Sequence, residues 1–132
     1  MIPTEAWILE RLEYYHDMME ISMPLSVFFH EKDWLGQSFA QTDTHREKIA
    51  CGDILGLNRM EGLAMLINLD QPKEFISKDV LENTIIHETI HSKYPDLGHG
   101  GTFNYYVREV RAGIFPPRKR NILVEFKDWL IA

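Results

Sequence analysis

Residues 87–103 read His87-Glu88-Thr89-Ile90-His91-Ser92-Lys93-Tyr94-Pro95-Asp96-Leu97-Gly98-His99-Gly100-Gly101-Thr102-Phe103. The first five of these residues carry the most specific chemistry in the chain. On a helix, His87 and His91 stand one turn apart and project from one face. Two imidazoles at that spacing can close on a single Zn2+ at about 2.0–2.1 Å each. Glu88 lies one residue along, on a different azimuth, where a carboxylate can take a proton from a water at the metal without itself ligating. A chain of this composition matches the five-residue pattern by chance only about 0.02 times.

The flanking residues place the pattern on a buried helix. Its start is predicted at residues 77–79, where Asp79 followed by Glu82 resembles a capping box with Asp in the cap position. Its end is predicted near Lys93, because Pro95 disfavours a helical Tyr94. Val80, Leu81, Ile85, Ile86 and Ile90 spread over most of the circumference and leave a narrow solvent-like sector at Glu82 and Thr89. A helix apolar nearly all round is buried, and this projection puts His87 and His91 away from solvent. Buried imidazoles beside a carboxylate need partners, and one divalent cation supplies a partner for all of them.

A third ligand comes from further along. His99 sits between Gly98 and Gly100-Gly101, and glycines allow the backbone the positive φ needed to fold back on the helix. Asp96, Cys51 and Glu109 are the competing ligands. His16, His30 and His45 have no such company and are expected to be surface or hydrogen-bonded structural histidines.

Outward from this segment the chain alternates helix and strand. Ile8, Leu12, Tyr15 and Met19 share one face of a helix predicted over residues 4–20, with Thr4 as its cap and Pro24 beyond its end. Short strands are predicted at 25–30 and 49–55. Period-2 alternation predicts a third at 63–69, joined to the second by a hairpin connection at 58–62. Residues 31–48 are polar and read mainly as loop. A further helix is predicted over 102–112, with Phe103, Tyr106, Val107 and Val110 on one face and Gly113 as its stop. The tail at 121–131 suits a helix through Ile122, Phe126, Trp129 and Leu130 better than the strand that Val124 and Phe126 would also fit. The expected fold class is α+β: an N-terminal helix, a small, mostly antiparallel sheet of about three strands, and a buried active-site helix followed by another helix. One domain spans 1–132, with 114–132 as a C-terminal extension.

The string from His87 to Phe103 resembles the SprT-like (Spartan-type) zinc metallopeptidases. In that family a HExxH helix is followed by a Gly-His-Gly-x-x-Phe element, here Gly98-His99-Gly100-Gly101-Thr102-Phe103. The looser order of elements extends the resemblance over residues 4–112. It implies a zincin-like fold, His87, His91 and His99 as ligands of one Zn2+, Glu88 as catalytic base, and a protein or peptide substrate. The loop from His91 to His99 is shorter than in some members, and neither a zinc ribbon nor a long basic tail follows, so DNA dependence is not carried over.

Composition bounds the function further. The chain has 132 residues, 45% of them hydrophobic and 26% charged, an ordinary globular balance. A single cysteine excludes an intrachain disulfide and a Cys-only zinc ribbon. The net charge of -6 disfavours nucleic acid by bulk attraction. The run Arg118-Lys119-Arg120 reads as a solvated turn. With neither a secretory signal nor a membrane span in the sequence, an intracellular, cytoplasmic location is expected.

The expected activity is hydrolysis of peptide bonds by a metal-activated water. Tyr94, Tyr105 and Tyr106 are near enough in sequence to be weighed as the donor that stabilises the oxyanion. The strand at 63–69 could form an edge to which an extended peptide adds, or be central. Two other functions fit the residues. One is a zinc amidase or deformylase-like hydrolase with Cys51 as a ligand. The other is a non-catalytic protein with a structural zinc.

Overall fold

The computed structural model describes residues 2–37, 56–59 and 63–119, without the side chains of Leu57 and Arg59. His45, Cys51, the strand expected at 49–55 and the tail at 121–131 lie outside the described residues.

Helix α1 spans Glu5–Met18, and the Thr4 hydroxyl caps it by accepting from the Trp7 backbone N–H at 3.1 Å. Its inward row is the expected one: Ile8, Leu12, Tyr15 and Met19 are all buried. Glu20 closes the helix in the left-handed region at φ 57°, with Ile21 N–H donating to the His16 carbonyl. His16 is buried and its Nδ1 lies 2.7 Å from the Leu12 carbonyl, a structural histidine.

Strands β1 (Ser26–Phe28), β2 (Gly56–Arg59) and β3 (Ala64–Ile67) form a sheet in the order β1-β3-β2. β1 pairs with β3 in parallel and β2 pairs with β3 antiparallel. The expectation of a mostly antiparallel sheet is therefore corrected to a mixed one. Parallel partners need a crossover rather than a hairpin, and α2 and β2 both intervene between β1 and β3. The hairpin connection expected at 58–62 also begins too early, since Asn58 and Arg59 belong to β2.

The predicted alternation in β3 is real, but both faces are covered. Met65 and Ile67 join the main core with residues of α1 and the later helices, whereas Ala64 and Leu66 pack with Trp34 on the other side. Trp34 belongs to a short helix, α2 (Glu31–Leu35), where a loop was expected. Its cap comes from far away in sequence. Asp70 Oδ2 accepts from the Glu31 N–H at 2.7 Å, while Asp70 Oδ1 meets His30 Nδ1 at 2.9 Å.

After a 3-10 turn at Lys73–Phe75 comes α3, Lys78–Lys93. Its cap is Ser77, whose hydroxyl accepts from Val80 N–H at 3.3 Å, and not Asp79. Glu82 does not close a capping box. It reaches α1 instead, accepting from Tyr15 Oη at 2.5 Å and from Arg11 at 2.6 Å. Burial and the bond to Glu82 push the Tyr15 hydroxyl up to about 12. Leu81, Ile85, Ile86 and Ile90 fill the core.

Helix α4 spans Gly101–Arg111 and ends at Gly113, whose φ of 84° favours a residue without a Cβ. Arg111 ties α4 to the start of α3 through Asp79 and Asn83. Residues 114–119 turn back on α4, where Arg118 makes two 2.9 Å bonds to the buried Glu109 carboxylate. Arg118 is thus half of an ion pair rather than part of a free basic run, and Arg120 lies outside the described residues.

The Arg118 bonds, then Tyr105, hold the Glu109 carboxyl down at about 2, against 4.5 for an unperturbed Glu. Since the folded value is depressed, the contribution is present above the unfolded value and is lost as pH falls from about 4.5 towards 2. Arg118→Ala should flatten the dependence of stability on pH across that window. Denaturant midpoints from neutral pH down to about pH 3 check it.

Candidate metal centre

The C-terminal half of α3 and the loop to α4 bring three imidazoles to one point. His91 Nε2 lies 3.1 Å from His87 Nε2 and 2.8 Å from His99 Nε2. One ligand atom from each of the three lies within 4.8 Å of the others. Nitrogens bound to one tetrahedral ion at 2.0–2.1 Å are about 3.3 Å apart, so the arrangement fits a single metal ion. The structure thus brings together all three histidines picked out by the sequence. Of the competing ligands, Asp96 is exposed and outside the group, Glu109 is committed to Arg118, and Cys51 lies outside the described residues.

The helix is turned differently from the sequence projection. Thr89, assigned to solvent, is fully buried, its hydroxyl satisfied by the Ile85 carbonyl at 2.7 Å. The open row of α3 runs through exposed Asp79 and Asn83 to half-buried His87 and His91. Arg111 covers its first part, and the loop bearing exposed His99 lies over its second. The ligands are therefore reachable from solvent while anchored on a core helix.

Phe103, on the first turn of α4, is the floor. Its ring centroid is 4.6 Å from His87, 4.8 Å from His91 and 5.2 Å from His99, and it is buried. Burial and then the neighbouring His91 and His99 lower the His87 imidazole to about 4, and burial followed by His99 lowers His91. Both shifts favour the unprotonated form that a ligand must have.

Glu88 lies against β2, about 60° round the helix from His91 and about 100° from His87. It is buried, its Oε2 has no hydrogen-bond partner, and burial pushes its carboxyl up to about 8. Two residues of β2 flank it. A Cβ at Gly56 would come within 3.1 Å of Glu88 Cγ. Asn58 Nδ2 donates to the Glu88 carbonyl at 2.8 Å and to Ser92 Oγ at 2.6 Å. The sequence pattern placed Asn58 in a hairpin connection, as a turn former, and gave no signal at Gly56.

Of the tyrosines weighed as oxyanion donors, Tyr105 has its hydroxyl committed elsewhere. Tyr105 Oη donates to Glu109 at 2.6 Å and also reaches the Arg118 carbonyl at 3.1 Å. Tyr94 and Tyr106 pack their rings together at 5.2 Å against the core. β3 has a hydrogen-bonded strand on each side, so no peptide can add to it.

No family model, curated protein or solved structure matches the chain. Among the described residues no helix is long and apolar enough to cross a membrane.

Proposed function

We propose that the chain is a zinc-dependent metallopeptidase in which His87, His91 and His99 hold the ion and Glu88 is the general base. The observation that carries this is the coincidence of three convergent histidine nitrogens with an adjacent glutamate whose buried oxygen has no partner. Three neutral nitrogen donors suit zinc. Among the described residues three ligands group together, the number that a catalytic zinc site takes from the protein.

Bound there, zinc would lower the pKa of a coordinated water towards 7 and polarise a scissile carbonyl. The chain's own part is acid–base. Glu88, once ionised by a neighbouring positive charge, accepts a proton from the attacking water at its carboxylate and returns it to the leaving nitrogen. Its dry surroundings raise its affinity for that proton and so suit it to both halves of the transfer. Phe103 holds the imidazole planes beneath the site and keeps water from that side. Among the described strands β2 is at one end of the sheet, beside Glu88, which suits it to pair with an extended peptide.

The test is cleavage of an unfolded protein such as casein by the zinc-loaded chain. Cleavage that a chelator stops and added Zn2+ restores is expected. A chain shown to hold zinc that leaves casein intact would overturn the proposal.

A further inference from the structure

We propose that Gly56 is a positioning residue for Glu88: by carrying no side chain it lets the carboxylate lie between α3 and β2 in one orientation. The proposal rests on the metallopeptidase function above and adds a residue outside the histidine segment. α3 presents Thr84, Glu88 and Ser92 to β2, one residue per turn along a single row. Gly56 meets the first two and Asn58 the last two. A Cβ built at Gly56 would lie 2.8 Å from Thr84 Cγ2, 3.1 Å from Glu88 Cγ and 3.2 Å from the Leu66 carbonyl.

None of the usual escapes is open. The strand cannot back away easily, because the Asn58 side chain ties it to α3 through the Glu88 carbonyl and Ser92, and one edge is paired with β3. The Thr84 methyl is held in place because Thr84 Oγ1 donates to the Val80 carbonyl at 3.0 Å. What can yield is the Glu88 side chain, whose carboxylate has no hydrogen bond from Oε2 to anchor it. Gly56 therefore acts on the base through contact and not through the metal ligands, none of which is among the atoms nearest to it.

A bare glycine-to-alanine change could disturb packing through Thr84, so the test pairs it with Thr84→Ser, which deletes the obstructing methyl and keeps the hydroxyl. Co2+ serves as the probe, since its visible bands report the coordination shell. The paired variant G56A/T84S should fold and bind Co2+ at the same stoichiometry as T84S. Its visible spectrum should move away from that of T84S towards that of Glu88→Gln, and casein cleavage should fall about 10–100-fold. Adding both changes to Glu88→Gln should cause no further loss of cleavage, as expected for residues acting through one group. A spectrum and rate equal to those of T84S would overturn the assignment. So would an unfolded paired variant, which would mark Gly56 as a packing residue alone. Failure of the unmutated chain to bind Co2+ would instead overturn the metal site beneath it.

Discussion

Glu88→Gln should leave the ion bound and lower peptide hydrolysis by about a hundred- to ten-thousand-fold, the range for removal of a general base. Glutamine has nearly the same shape as glutamate, so the fit between α3 and β2 is kept. None of the three converging nitrogens is touched. What is lost is the only buried carboxylate oxygen without a partner among the described residues. The change also removes an ionisable group that burial pushes up to about 8, so the pH profile of the residual rate should lose its dependence on this group. Metal analysis after dialysis and casein cleavage measured on the same sample check both halves. Normal cleavage by a zinc-loaded Glu88→Gln chain would remove Glu88 from the mechanism.

His91→Ala should cost the most in metal affinity. His91 Nε2 is the nitrogen that faces both others, at 3.1 and 2.8 Å. Without it, His87 on the helix and His99 on the loop form a two-ligand site with no common support. Structural zinc sites gain about 10–16 kcal/mol from four ligands, so one ligand corresponds to a loss on the order of a hundred- to a thousandfold in affinity. Competition titration with a chelating dye gives the affinity directly. Cleavage should vanish with the ion, in contrast to Glu88→Gln, where the ion stays. His91 is half-buried and packs on Phe103, so the fold should survive the truncation, and circular dichroism of the metal-free variant checks that.

What the sequence made legible was what its local chemistry determines. The Thr4 cap and the inward row of α1 involve residues within a few turns of each other, and both stand as expected. The same holds for the Gly113 stop and for the histidine segment, whose members are neighbours on one helix and the loop after it. Long-range contacts were the illegible part. α2 is capped by Asp70, which arrives only after the sheet is built, so nothing near Glu31 announces a helix. Asn58 looks like a turn residue because its amide competes for backbone bonds. In the fold that amide is spent on α3. Thr89 looks like surface until the Ile85 carbonyl satisfies its hydroxyl. The mixed pairing of the sheet was hidden because strand length and alternation carry no information about which neighbour a strand will find.

All three candidate ligands fall between His87 and His99, so bringing them together closes only a short loop. An unfolded or half-folded chain therefore keeps some capacity to chelate, which makes the ion a poorer thermodynamic brace than its affinity for the native state suggests, since binding to unfolded chains subtracts from the linkage. It also orders events during folding. On the proposed function, the ion would be captured while α3 is forming, whereas Glu88 meets β2 only when that strand docks, so metal binding would precede cleavage.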